Sequence, residues 1–321
     1  MKLYIEGDIG RYYVQTLCLI FFPGAGFSER EEETAESDAV RLTLREDAQS
    51  YTAEAIMRHG GEQLDRLFGC IGENIDLSRL CEFTLEAGRP DTITDDKLRA
   101  AKRGGVTRVS INPQTTNDEV LRSIGRSHTA EEFFRAYESA AAQSFDCINT
   151  DLIAGLPGER GDSFVRSFDE VSALSPENIS VHTFCVKRAA ELAERGGCYS
   201  RTGEDAGRGV AYSQRRCAEL GYEPYYMYKQ KNAVGGYENV GFSKPGKEGI
   251  YNILIMDEIH SIFALGAGAV TKLVSRSGGD MQRLFMPKYP YEYLAASPEE
   301  SERTLAEAAE SFYRDRFDDI E

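Results

Sequence analysis

Residues 147–159, CINTDLIAGLPGE, are the stretch from which the rest of the chain is best read. Cys147, Ile148, Leu152, Ile153 and Ala154 are apolar, with Asp151 set between the pairs, and GLPG then breaks the run where a helix should begin. In a parallel α/β sheet, open or barrel-shaped, ligands sit at the carboxyl ends of strands. Asp151 falls near such an end, where a carboxylate can accept hydrogen bonds from a ribose diol. The same pattern also fits a buried strand whose lone aspartate caps the following loop.

Working outward, helix and strand patterns alternate on both sides of this stretch. Upstream, EQLDRLFGCIGEN has helical spacing through Leu64, Leu67, Phe68 and Ile71, and EFTLEAG (82–88) reads as a strand. TDDKLRAAKRGG (94–105) reads as a helix capped by Thr94 and stopped by two glycines, and VTRVSINPQT (106–115) as the next strand. Two helices, NDEVLRSIG and TAEEFFRAYESAAAQSF, precede the 147–159 stretch; the helix DSFVRSFDEVSAL and the strand PENISVHTFCV (176–186) follow it. Four strands at crossover spacing predict a parallel sheet in a partial (β/α) barrel, hence an α/β fold.

The ends of the chain read differently. KLYIE (2–6) and AVRLTLRED (39–47) alternate as strands, RYYVQTLCLIFF (11–22) reads as an apolar helix, and SEREEETAESD (28–38) as an acidic connector. DAGRGVAYSQRRCAELGY reads as a helix, ILIMDEIHSIFALGAGAV as two strands or a strand and a turn, and SPEESERTLAEAAESFYRDRF as a closing helix. The expected organisation is a small α+β module over 1–59, an incomplete barrel over 60–195 and a substrate-side domain over 196–321.

Bulk composition narrows the function. The 321 residues are 41% hydrophobic and 28% charged with a formal charge of −16, which disfavours nucleic acid as a partner. No run of about 18 apolar residues predicts a membrane span, and the opening MKLYIEGDIG lacks a secretory leader's pattern. Seven cysteines, at 18, 70, 81, 147, 185, 198 and 217, suit reduced thiols and a cytoplasmic setting better than a disulfide framework. Neither a G-x-x-x-x-G-K-[ST] nor a G-x-G-x-x-G turn marks a phosphate loop.

Glu86, Gln114, Arg126 and Asp151 stand at or just beyond the predicted strand ends. Two carboxylates, an amide and a guanidinium suit a ligand with a ribose and an amino-acid head. Taken together, EFTLEAGRPDTIT, RVSINPQTTNDEVLRSIGRSHT, NTDLIAGLPGE, ISVHTFCVKRAAEL and the later YKQKN, ENVGFSKPGKEGIYNILIM and LGAGA runs resemble the radical S-adenosylmethionine family of oxygen-independent coproporphyrinogen III oxidases. Within it they look closest to the coproporphyrinogen dehydrogenase branch. The resemblance implies S-adenosylmethionine as a cofactor, with Glu86 and Arg126 at the methionine head, Gln114 and Asp151 at the ribose and Ile153 near the adenine. It also implies oxidative decarboxylation of coproporphyrinogen III to protoporphyrinogen IX in haem biosynthesis, with an electron donor as partner.

One departure bears on that activity. The family's 4Fe-4S cluster is held by a C-x3-C-x2-C loop, and in this sequence no two cysteines lie closer than Cys70 and Cys81. Three thiolates on one short loop leave one iron open for the ligand, so an internally shortened chain without activity is expected, with no metal ligand or catalytic residue assigned. A tetrapyrrole substrate is expected to meet Lys187, Arg188, Lys229, Lys231, Lys244 and Lys247, interleaved with Tyr225, Tyr226, Tyr228 and Phe242. The same residues also suit a solvated hairpin face. The alternative function is a non-catalytic tetrapyrrole- or haem-binding protein. His182 reads as a satisfied core histidine.

Overall fold

The computed structural model describes residues 61–185 except 75, 76, 78 and 79, residues 203–287 except 259, 266, 267 and 276–278, residues 292, 295 and 298–317, and, as backbone, 14–21 and 48–55. The expected strands at 2–6 and 39–47, the acidic connector at 28–38, and Lys187 and Arg188 lie outside the described residues.

The chain divides into two compact units, which cut across the three segments expected from the sequence. The first comprises 1–86, 99–106 and 250–321, and the second 87–98 and 107–249.

In chain order the elements are β1 (Val14–Phe21), β2 (Ala48–Ala55), α1 (Gly61–Asn74), β3 (Glu82–Glu86), α2 (Asp95–Arg103), β4 (Arg108–Ser110), α3 (Asp118–Ser123), α4 (Ala130–Ala142), β5 (Cys147–Ala154) and α5 (Gly161–Ala173). There follow β6 (Asn178–Thr183), α6 (Glu204–Glu219), β7 (Glu223–Tyr228), β8 (Asn239–Ser243), α7 (Ile250–Asp257), β9 (Ser261–Leu265), β10 (Val270–Val274), β11 (Met281–Phe285) and α8 (Pro298–Phe317).

In the first unit the strands run β11-β10-β9-β1-β2-β3. Here β1 pairs antiparallel with both β2 and β9, and β2 pairs parallel with β3. Two expectations are corrected. Residues 14–21 form a strand, not a helix: β2 and β9 pair its backbone on both edges, and a short apolar run alone does not separate the two forms. Ile250–Asp257 is a helix, not a strand. The Glu82 carboxylate accepts from Ile250 N at 2.9 Å and Tyr251 N at 3.2 Å, supplying from a distant strand the cap that the local sequence lacks.

In the second unit the order is β4-β5-β6-β8-β7. Parallel pairing of β4, β5 and β6 follows from the crossover helices, and β8 and β7 close the edge as an antiparallel pair. Val109, Ile111, Ile148, Leu152, Ile179 and Val181 are buried, as are Phe133, Phe164 and Phe168 of the helices. Each such side chain contributes about 2 kcal/mol of burial. Local signals set the helix starts: Asn117 Oδ1 accepts from Glu119 N and Val120 N, and Thr129 and Glu132 form a capping box at α4.

Candidate functional site

The site in the second unit is built from the half-buried face of β5. Along that strand Asn149, Asp151 and Ile153 are half-buried while Ile148, Thr150, Leu152 and Ala154 are buried, the period of two that a pleated strand imposes. The parallel register places Asn178, Ser180 and His182 of β6 beside Asn149, Asp151 and Ile153. Asn149 Nδ2 donates to Asp151 Oδ1 at 2.8 Å, and His182 Nε2 stands 3.6 Å from Oδ2, within ion-pair reach but long for a hydrogen bond. Burial opposes ionisation of Asp151, but the His182 imidazole, the Asn149 amide and the Ser180 hydroxyl together hold its carboxyl below the ordinary value. Asp151 is therefore an ionised, fixed acceptor, and its two oxygens have lone pairs to spare for ligand hydroxyls.

Gln114 is locked to this strand by backbone. Its N–H donates to Asp151 O at 3.0 Å, and its carbonyl accepts from Ile153 N at 2.9 Å. It adopts φ 66°, a left-handed conformation costly for a side chain with a Cβ. Three of the residues expected in the site, Gln114, Asp151 and Ile153, thus meet.

Arg126 follows the Gly125 turn at the end of α3, where its N–H caps Leu121 O at 2.9 Å. Its Nη1 donates to Gly88 O at 3.3 Å. Burial and the neighbouring Arg89 draw its guanidinium below the usual value, while Asp91 and Asp151 pull the other way. Arg126 therefore shares the electrostatic surroundings of Asp151. Glu86 closes β3 in the first unit and is half-buried.

The lysines separate into two groups. Lys229 and Lys231 are exposed just past β7, where Tyr228 pairs with Asn239 and Lys231 O accepts from Cys185 Sγ at 3.1 Å. Lys247 Nζ donates to Asp146 O at 2.8 Å, and Lys244 Nζ donates to Ser175 O at 2.5 Å and stands 3.6 Å from Glu177. Those partners precede β5 and β6, so Lys244 and Lys247 serve the amino ends of the strands and are not brought to Asp151.

The sequence did not connect His182, Ser180, Tyr226 or Tyr228 with Asp151, although the two tyrosines were expected at a tetrapyrrole face. His182, expected as a core histidine, is half-buried with Nε2 3.6 Å from the Asp151 carboxylate, and the Tyr228 ring lies 6.4 Å from that imidazole. Tyr226 donates to Ser180 Oγ at 3.2 Å and stacks on Tyr228 at 6.3 Å. Burial, then the Asp151 charge, pushes the Tyr226 phenol up, so it stays a neutral donor. Gly241 opposite it admits no Cβ without collision with the Tyr226 ring. The period of two along ISVHT is the signal that puts His182 and Ser180 on one face; their pairing with Asp151 depends on register.

These residues fit S-adenosylmethionine: an ionised carboxylate and an amide for a ribose, and a guanidinium with one hydrogen bond for an amino-acid carboxylate. The described cysteines do not fit the 4Fe-4S cluster. Cys70 lies in α1, Cys81 precedes β3, Cys147 begins β5, Cys185 follows β6 and Cys217 lies in α6. Among the described residues no three His, Cys, Asp or Glu side chains are grouped to hold a metal. Away from Asp151, a groove of about 370 Å³ between α5 and α6 is lined by Asp169, Tyr212, Arg215, Arg216 and Glu219.

Residues 29–171 match the Radical SAM superfamily. The chain is 41% identical over 234 residues to the oxygen-independent coproporphyrinogen-III oxidase-like protein HemZ of Bacillus subtilis, covering 72% of this chain and 47% of that protein. It is 30% identical over 212 residues to the heme chaperone HemW of the same organism, covering 65% of this chain and 52% of HemW. It superposes on Escherichia coli coproporphyrinogen III oxidase HemN with a TM-score of 0.56 at 19% identity, over 76% of this chain and 54% of that one. The chain spans about half the length of the curated relatives it matches. Proteins of this superfamily use S-adenosylmethionine and a 4Fe-4S cluster. The chain carries a radical S-adenosylmethionine superfamily domain and is similar to an oxygen-independent coproporphyrinogen-III oxidase-like protein over 72% of its length.

Proposed function

We propose that this chain binds an adenosyl ligand, S-adenosylmethionine or S-adenosylhomocysteine, at the carboxyl ends of β4 and β5, and handles a carboxylated tetrapyrrole beside it. The observation that carries the reading is the ionised Asp151, held by Asn149 and His182 and bonded through its backbone to Gln114. In this assignment Asp151 and Gln114 take the ribose hydroxyls, Ile153 lies against the adenine and Arg126 takes the methionine carboxylate. Glu86 is assigned the ammonium on its motif alone.

The tetrapyrrole half draws support from the relatives, named as a coproporphyrinogen oxidase-like protein and a heme chaperone. Tyr226 and Tyr228, with Lys229 and Lys231 just beyond, put aromatic faces and cations on the strand and loop that follow. Lys187 and Arg188 join them by sequence. Oxidative decarboxylation of coproporphyrinogen III is the second reading, favoured by the 41% identity to HemZ. It needs three thiolates on one loop, which this sequence does not supply.

Calorimetry with S-adenosylhomocysteine tests the first reading. Wild type should bind and Asp151→Ala should bind at least about tenfold more weakly, the loss of roughly 1.4 kcal/mol expected for a charged hydrogen-bond acceptor. Equal heats from the two proteins would count against it.

A further inference from the structure

Beside the proposed ligand site two loops are fastened together by a pair of arginines. Arg126 Nη1 donates to Gly88 O at 3.3 Å, and Arg89 Nη2 donates to Ser127 Oγ at 3.4 Å. Each guanidinium anchors on the residue adjacent to the other, so the two cations are held as neighbours.

Two carboxylates share their surroundings: Asp91 beside Arg89, and Asp151, which acts on Arg126 together with Asp91 and is itself assigned to the ribose. Arg89 Nε lies 3.8 Å from Asp91 Oδ1, and it is buried with no hydrogen-bond partner. Among the described residues the Arg126 guanidinium makes one hydrogen bond and no ion pair. His128 stands in the same field, feeling both guanidiniums; its Nε2 faces Pro113 O at 3.2 Å and its buried Nδ1 has no partner. Like charges held this close are unfavourable by themselves, and a bound anion at the corner would offset that cost.

One guanidinium suffices for one carboxylate, which it can grip through two parallel N–H···O bonds. If Arg126 takes the amino-acid carboxylate, as proposed above, Arg89 is surplus to that ligand. Its side chain is 37% exposed, so its outer nitrogens can reach a second molecule.

We infer that Arg89 is a specificity residue that binds a carboxylate of a second ligand, a propionate of a polycarboxylated tetrapyrrole, next to the amino-acid carboxylate held by Arg126. This rests on the assignment of Arg126 in the proposed function. Pairing one arginine with each ligand ties the position of the tetrapyrrole to that of the adenosyl ligand.

The test titrates coproporphyrin III, and separately its tetramethyl ester, into wild type, Arg89→Gln and Arg89→Lys by porphyrin fluorescence. S-adenosylhomocysteine is titrated into the same three proteins by calorimetry, with circular dichroism to confirm folding. Arg89→Gln should weaken coproporphyrin binding about tenfold, Arg89→Lys should restore part of it, and the ester should bind all three alike. S-adenosylhomocysteine affinity should stay within about twofold, since Arg126 remains. Unchanged coproporphyrin affinity, no coproporphyrin binding by wild type, or a parallel loss of both ligands would each overturn the inference. The last result would put both arginines on one carboxylate. If wild type binds coproporphyrin through Arg89 but no S-adenosylhomocysteine, the adenosyl reading fails and the Arg89 assignment stands alone.

Discussion

Glu159, the last residue of the 147–159 stretch, makes a pH-dependent prediction. Its carboxylate is 6% exposed and accepts from Thr115 Oγ1 at 2.6 Å and, more weakly, from Ser163 Oγ at 3.4 Å, while Oε2 is buried without a partner. Burial pushes its carboxyl up from 4.5 to about 7, against the pull of those two hydroxyls. A carboxyl whose pKa rises on folding stabilises the native state below its unfolded pKa and loses that stabilisation as pH climbs through the folded value. The window is therefore pH 4.5 to about 7. At about 1.4 kcal/mol per pH unit, full ionisation costs roughly 3 kcal/mol. Glu159→Gln abolishes this cost, keeps an acceptor for Thr115 and leaves amide hydrogens unpaired, a penalty of about 1 kcal/mol. The variant should be about 2 kcal/mol more stable than wild type at pH 8 and about 1 kcal/mol less stable at pH 4. Urea unfolding followed by far-ultraviolet circular dichroism measures the difference, in which all other titrations cancel. A wild-type-minus-variant difference that is the same at both pH values would refute the reasoning.

Three further outcomes follow from the same geometry. Gly241→Ala forces a Cβ into the Tyr226 ring and should cost about 2–3 kcal/mol, with a changed tyrosine signal in near-ultraviolet circular dichroism. Gln114→Gly should leave the thermal midpoint nearly unchanged, because relief of φ 66° (about 1 kcal/mol) offsets the entropy of glycine, while calorimetry shows weaker S-adenosylhomocysteine binding. Asn117→Ala removes the acceptor for Glu119 N and Val120 N and should lower stability by about 1 kcal/mol in urea titration.

What was legible in the sequence was what local pattern encodes. The apolar pairs around Asp151 and the GLPG break specified β5 and the start of α5, and the runs NDEVLRSIG and TAEEFFRAYESAAAQSF placed α3 and α4. Gln114 and Asp151 were both expected near strand ends, and they meet because the segment after β4 continues along the second half of β5. Non-local pairing was harder to read. His182 reaches Asp151 only through the β5–β6 register, and Glu82 caps α7 from 168 residues away. The 14–21 segment was misread because periodicity alone does not separate a short apolar helix from a strand paired on both edges. Charge counting grouped Lys244 and Lys247 with Lys229 and Lys231, although the first two bond to carbonyls at the amino ends of β5 and β6. Arg89 was hidden inside a Gly-Arg-Pro break that marks only the end of a strand.

Hydrogen–deuterium exchange with and without S-adenosylhomocysteine tests the central claim most directly, since it reports where a ligand sits as well as whether it binds. Slower exchange is predicted for amides in 111–116, 124–129 and 149–155, the segments that carry Gln114, Arg126 and Asp151, and this protection should be lost in Asp151→Ala. Unchanged exchange in those segments, or protection confined to the α5–α6 groove around Asp169, Tyr212 and Arg216, would contradict it.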